Sequence, residues 1–252
     1  MKKFEFQEKG HKYFLDDKPL TGVTTVLNVI AKPALIAWSA KMACEYVKAN
    51  LKSLEELDQV LELAKIAHTR KKEDAGDIGK QVHKHIENWI KQRINPAAAY
   101  LEEITKQEAD IVNNFIKWAI DNKIKFLESE KKLYSEKYWL GGTADFVCEI
   151  DGKKYVGDIK TGSGIYDRTP MAQAAAYRLM LEEMGEKDFY GSVIINIKKD
   201  GSFNEEKDVY WSKDYATDLE LFLGALAIYR VLNNTIITND LTEKIKNNSV
   251  KK

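Results

Sequence analysis

The stretch Gly142–Lys160, GTADFVCEIDGKKYVGDIK, decides how the rest of the chain is read. Two runs of strand-forming residues, Thr143–Ile150 and Lys153–Lys160, flank Asp151-Gly152, the pair preferred in a two-residue type I′ turn. Such a turn sets the register. Ile150 then opposes Lys153, Glu149 opposes Lys154, Val147 opposes Val156, Asp145 opposes Asp158, and Thr143 opposes Lys160. Side chains alternate along a strand, so the last four pairs share one face. The Glu/Lys and Val/Val pairs favour this register, whereas Asp145/Asp158 opposes it. Two carboxylates about 5 Å apart at Cβ repel each other unless one is protonated or a cation lies between them.

A cation held by paired carboxylates, with Lys160 two residues beyond Asp158 on the same side, suits hydrolysis of a phosphodiester. Mg²⁺ and Mn²⁺ prefer carboxylate, carbonyl and water oxygens, and a nearby lysine can orient or activate a water held by the ion. The D-x-K triplet by itself means little, because it also occurs at Asp16, Asp121 and Asp151, and charged hairpin residues are ordinarily a solvated face. Asp158 stands apart because Asp145 is paired with it and because two helices carry matching polar residues.

With 252 residues, 44% apolar and 31% charged, the chain has the composition of one large globular domain, or of a core with a helical accessory region. No apolar run approaches the ~20 residues of a membrane-spanning helix, and MKKFEFQEKG lacks a signal-peptide core, so a cytoplasmic setting is expected. Cys44 and Cys148 are too few for a four-cysteine zinc or iron–sulfur site and fit a reducing compartment. Lys+Arg and Asp+Glu balance at 39 each, so no global positive field advertises nucleic acid. An acidic metal site can nevertheless sit in a locally basic groove.

Along the chain, Phe4–Gln7 and His11–Leu15 read as an N-terminal hairpin. In Thr21-Gly22-Val23-Thr24-Thr25 the hydroxyls suit a helix cap, with phosphate contact as the alternative. Helical patterns follow at 33–50 and 54–70, and the polar run Thr69–Asp74 with Gly76 predicts a seam between a helical arm and the core. The next helix, 75–93, has an apolar stripe of Ile78, Val82, Ile86, Trp89 and Ile90. Gly79, His83 and Glu87 flank that stripe at four-residue spacing, where they can border a cleft. Taken alone, His83 is an ordinary packed or solvated histidine. A helix at 102–123 and a strand from Glu130 to Ser135 lead to Leu140-Gly141-Gly142, read as a turn into the hairpin. Beyond it, Thr169-Pro170 predicts a helix start with a capping threonine. That helix presents Gln173 and Tyr177 on one face, for which a buried, hydrogen-bonded tyrosine is the plain structural reading. Strands at Tyr190–Lys198 and Asp208–Trp211 and a helix at 214–232 close the fold, and the tail 242–252 is polar and basic.

These pieces form an ordered set: G-x-x-x-H at Gly79–His83, a strand glutamate at Glu130, G-T-A-D at Gly142–Asp145, D-I-K-T at Asp158–Thr161, and Q-x-x-x-Y at Gln173–Tyr177. The set resembles the PD-(D/E)xK nuclease superfamily in its histidine-containing RecB-like branch, especially phage-type exonucleases and the mitochondrial genome maintenance exonuclease. The likeness spans about 75–200 and extends weakly to Thr21–Thr25. It implies that Asp145 and Asp158 bind the metal, Mg²⁺ or Mn²⁺, with His83 and the Ile159 carbonyl completing the sphere. Lys160 matches the catalytic lysine, and Gln173 and Tyr177 match the motif that positions the DNA strand and the lysine. Thr24 and Thr25 are further substrate-contact candidates, and Glu130 and Glu87 further acidic ones. Two features depart from the pattern. Gly157 precedes Asp158 and Ala144 precedes Asp145, so no proline–aspartate pair exists, and the four-cysteine cluster of some RecB-like relatives is absent.

The expected architecture is α/β, a central mixed sheet flanked by helices in a restriction-endonuclease-like core. The expected division is an N-terminal hairpin and helical arm at 1–74, the nuclease core at 75–240, and a basic tail at 241–252. The resemblance implies a metal-dependent DNA exonuclease acting on single strands or ends, leaving a 5′-phosphate and a 3′-hydroxyl. DNA is the expected partner, with no membrane, and with a recombination or replication protein as a further one. The rivals are an endonuclease with the same core and a catalytically silent nuclease-fold module that binds DNA or protein.

Overall fold

The computed structural model describes residues 2–97 and 103–233. The chain opens with β1 (Phe4–Gln7), β2 (Lys12–Leu15) and β3 (Lys18–Pro19), a small antiparallel sheet of order β1-β2-β3. Strand β4 (Thr21–Gly22) leads into α1 (Val23–Leu27), followed by α2 (Ala34–Asn50), a 3₁₀ turn at Leu54–Glu56, α3 (Leu57–Lys65), α4 (Ala67–Ile94) and α5 (Lys106–Asp121). Then come β5 (Lys125–Ser135), β6 (Leu140–Ile150), β7 (Lys153–Lys160), α6 (Thr169–Glu183), β8 (Phe189–Asn196), the short α7 (Glu205–Asp208), β9 (Val209–Ser212) and α8 (Tyr215–Leu232).

Strands β5, β6 and β7 form an antiparallel meander, β8 runs parallel to β7 through the α6 crossover, and β9 is antiparallel to β8. The Asp151-Gly152 turn takes positive φ at both residues, +49° and +72°, as a type I′ turn requires. The expected register holds from Ile150↔Lys153 to Phe146↔Gly157, where the ladder ends. Beyond it, β4 pairs in parallel with the start of β6, Thr21↔Leu140 and Gly22↔Gly141, on this mixed six-stranded sheet. The result is a fork between β6 and β7 at Asp145 and Asp158.

Each face of the sheet buries its own apolar cluster. Val147, Val156 and Ile194 pack with Ala172, Tyr177, Met180 and Phe222 from α6 and α8. Phe146, Cys148, Ile159 and Ile195 pack with Val82, Ile86, Phe115 and Trp118 from α4 and α5. The α4 stripe read from spacing is buried at Val82, Ile86 and Ile90, each 0% exposed, which anchors the helix against the sheet. Among the described residues no helix is long and apolar enough to cross a membrane.

Four local readings change. No break occurs at Thr69–Gly76: α4 runs unbroken from Ala67 to Ile94, and the interruption falls earlier, at Ile66. The threonines of the Thr21–Thr25 segment cap nothing; Thr21 is in β4, and Gly22 is the N-cap of α1 with no side-chain bond. Thr169 likewise lies inside α6, whose N-cap is Arg168, and its hydroxyl donates to Asp167. Leu140–Gly142 is already strand rather than turn. The tail 242–252 lies outside the described residues.

Candidate active site

The fork sets the two carboxylates. Because the β6–β7 ladder stops at Phe146↔Gly157, Asp145 does not pair squarely with Asp158. Its Oδ2 instead accepts the Ile159 backbone N–H at 2.7 Å, bridging the opening strands. Asp158 stays on the α6 side and is 1% exposed. Burial and the neighbouring Asp158 charge push the Asp145 carboxyl well above the usual carboxylate range, against the pull of Lys160 and the Ile159 N–H. The repulsion read from the hairpin is therefore present, although the pairing that was to cause it is looser.

Helix α6 supplies the support. Gln173 Oε1 accepts from Lys160 Nζ at 3.1 Å, while Gln173 Nε2 donates to Asp158 Oδ1 at 3.0 Å and to the Tyr177 hydroxyl at 2.8 Å. One amide thus spans the lysine, the aspartate and the tyrosine, which its four-residue spacing from Tyr177 on a helix permits. Lys160 Nζ also lies 2.6 Å from Asp158 Oδ2, as an ion pair off hydrogen-bonding geometry. Burial would lower the lysine's pKa, but the Asp158 and Asp145 carboxylates outweigh it and hold the ammonium above its ordinary value. Tyr177 is kept neutral by burial.

Helix α4 approaches from the opposite face. His83 Nδ1 stands 3.6 Å from Asp145 Oδ2, and the imidazole donates to the Ile159 backbone carbonyl. Burial lowers its pKa more than the nearby Asp158 raises it, so the ring is neutral near pH 7. Gly79 lets the helix come in: a Cβ there would meet Thr161 Oγ1 at 2.9 Å. His85, two residues on, is buried at 2% and turned elsewhere.

A cavity of about 1100 Å³ opens over this cluster, lined by His83, Glu87, Glu130, Asp145, Thr161 and Tyr177 among others. Glu87 lies at its rim and pairs with Lys91. Glu130 is bonded to Lys132 at 3.0 Å and has φ +49° in mid-strand, a conformation unusual for a non-glycine residue. It falls between Ser129↔Phe146 and Lys131↔Ala144, beside Asp145, whose carboxyl it raises further. Thr24 and Thr25 line a separate, adjoining cavity and are not gathered with the others.

Some neighbours of the site escaped sequence reasoning. Lys72, Lys80, Lys84 and Lys199 line the larger cavity beside Glu8, Glu87, Glu130 and Asp145, so basic and acidic side chains balance there as they do in the whole chain. Lys72, Gly76, Gly79, His83 and Glu87 follow one helical face, so the spacing signal was available, and the expected break at Thr69–Gly76 concealed it. His11 and Tyr13 reach the site from the N-terminal sheet, with the Tyr13 hydroxyl 2.8 Å from Thr143 Oγ1. Asn196, register partner of Lys160 on β8, is fully buried with neither amide atom hydrogen-bonded to protein. No local sequence signal marks these three.

The residues present fit a divalent cation by the chemistry of their donors: two carboxylates, a neutral imidazole and a backbone carbonyl. Asp158 Oδ2 in particular is buried, with the Lys160 ammonium 2.6 Å away. Among the described residues no three His, Cys, Asp or Glu side chains are gathered closely enough to clasp an ion by themselves. Lys160 and the Ile159 N–H meanwhile engage the carboxylate oxygens.

No family model and no curated protein matches the chain. A solved structure described as SSO0001 is similar over 77% of this chain and 86% of its own, at 12% identity and a TM-score of 0.32. Likeness at that level speaks to neither fold nor activity.

Proposed function

We propose that the chain is a Mg²⁺- or Mn²⁺-dependent deoxyribonuclease acting as an exonuclease on single strands or DNA ends. The observation that carries this reading is the convergence of four elements on one buried carboxylate. Asp158 is 1% exposed, and Asp145, His83, Lys160 and Gln173 are assembled around its carboxylate from four elements.

Asp145, Asp158, the Ile159 carbonyl and His83 would hold the ion. When bound, the ion supplies Lewis acidity toward phosphate oxygen and water. The chain does the rest. Lys160, charged at neutral pH, stabilises negative charge developing on the phosphate. Gln173 holds the ammonium at the cluster and keeps it from swinging to solvent. Neutral His83 keeps a lone pair for ligation, which protonation would remove. Lys72, Lys80, Lys84 and Lys199 attract the phosphate backbone toward the acidic centre.

End-labelled single- and double-stranded oligonucleotides incubated with Mg²⁺ or Mn²⁺, with and without chelator, test the reading. Metal-dependent shortening from an end supports it. Cutting of a closed circular single strand would replace the exonuclease by an endonuclease, and DNA binding without cleavage under any divalent metal would leave a binding module.

A further inference from the structure

A second cavity of about 530 Å³ adjoins the first and shares His11 and Tyr177 with it. Its apolar wall is Phe14, Leu20 and Val23, and its polar side is Thr24, Thr25 and His11. The floor is Gly141-Gly142, on which two tyrosines lie. A Cβ on Gly141 would fall 2.4 Å from Tyr13 Cβ, and one on Gly142 2.7 Å from Tyr177 Cε1. No other residue fits under these rings.

His11 stands at the junction of the two cavities. Gly10 at φ +85° turns the chain, and His11 itself takes φ +50°, a left-handed conformation that costs a non-glycine residue about 1–2 kcal/mol. Edge contacts to Phe6 and Tyr13 fix its ring, with centroids 4.9 and 5.3 Å away, and its Nε2 is 2.6 Å from the Tyr13 hydroxyl. Burial and Lys132 lower its pKa against the pull of Glu130, so the ring is neutral near pH 7. The chain Thr143, Tyr13, His11 therefore ties the strand that carries Asp145 to a polar group facing the second cavity.

Resting on the nuclease reading, we propose that this second cavity seats the nucleotide adjoining the scissile phosphate. Its base lies against Phe14, Leu20 and Val23, and its sugar–phosphate against His11, Thr24 and Thr25. The volume lies in the range of small-ligand pockets, ~300–1,000 Å³. An apolar wall opposite a few polar groups suits an unstacked base. A base paired and stacked in a duplex cannot enter such a recess. The substrate class is accordingly a single strand or a frayed end.

The test is fluorescence anisotropy of the full chain with labelled single-stranded oligonucleotides in chelator, comparing intact DNA with oligonucleotides carrying one abasic residue scanned inward from either end. Wild type is expected to bind the intact strand about 5- to 100-fold more tightly than the worst abasic one, the range of one base contact. His11→Ala should erase most of that difference, and Thr24→Trp, at an exposed position, should fill the cavity and do the same. Wild type that ignores the abasic residue at every position, or both variants retaining full discrimination, would overturn the proposal. Cleavage assayed separately keeps the two readings apart. Discrimination without cleavage under Mg²⁺ or Mn²⁺ sinks the nuclease and spares the subsite, while cleavage without discrimination does the reverse.

Discussion

Lys160 and Gln173 form the smallest unit on which the chemistry depends. Lys160→Ala is expected to lower the cleavage rate by ~10²–10⁴-fold or more, since it removes charge stabilisation at the reacting phosphate. The same change leaves the buried Asp158 and Asp145 without their countercharge, so the metal-free variant should melt below wild type and recover on adding Mn²⁺. Near wild-type turnover would remove Lys160 from the mechanism. Gly157 is a structural counterpart. A Cβ there would lie 2.0 Å from the ring of Phe146, which is 0% exposed, so glycine precedes Asp158 because an aromatic ring covers it. Gly157→Ala should destabilise by about 1–3 kcal/mol through overpacking, read as a lower urea midpoint.

At the level of elements, the β6–β7 fork and the long α4 are the two features to test. Asp145 has its pKa raised in the fold, so it favours the metal-free fold most when protonated, and that contribution is lost as pH rises from about 4 through the raised value. Asp145→Asn keeps an oxygen to accept the Ile159 N–H and removes the repulsion. Without metal it should melt at or above wild type, with an advantage that grows toward neutral pH. It should also lose most of the metal-induced gain, which for one site is about 2.7 kcal/mol at a hundredfold excess over Kd. Calorimetry of both proteins with and without Mn²⁺ decides. A variant strongly destabilised without metal that still gains as much as wild type would make Asp145 structural. For α4, Gly76 lies in mid-helix with nothing within 4 Å of an added Cβ. Gly76→Ala should therefore stabilise the protein by about 0.5–1 kcal/mol in chemical denaturation, whereas at a hinge it would not.

Over the whole molecule and around the cavity alike, basic and acidic residues balance in number. The cavity nevertheless sets Lys72, Lys80, Lys84 and Lys199, from α4 and the loop after β8, where a phosphate chain can pass between them and the acidic Glu8, Glu87, Glu130 and Asp145. Binding of single-stranded DNA should weaken with salt, and each of Lys72→Ala and Lys199→Ala should reduce the slope of log affinity against log salt by about 0.7. Slopes unchanged in both variants would exclude this cavity from the phosphate path.

The hairpin of β6 and β7, its turn type and three of the five pairs read from it, Ile150↔Lys153, Glu149↔Lys154 and Val147↔Val156, were legible in the sequence, because a two-residue Asp-Gly turn and alternating strand residues are local constraints. So was the buried stripe of α4, a matter of helical period. The four-residue spacings of Gly79–His83 and Gln173–Tyr177 likewise placed those pairs on helix faces. What only the tertiary structure decided is where strands part and which distant segments meet. The ladder ends at Phe146↔Gly157 and β4 pairs with the start of β6, although neither strand's own residues signal it. Thr69–Gly76 stays helical because Ile78, Val82 and Ile86 are anchored in the adjoining stretch, and tertiary packing overrides the weak local preference of a polar run and one glycine. Tyr13, with His11 bonded to it, reaches Thr143 across 130 residues, where no periodicity links them. Spacing along a chain determines which side chains share a face; which faces then close around a common site is set by burial between elements far apart in sequence.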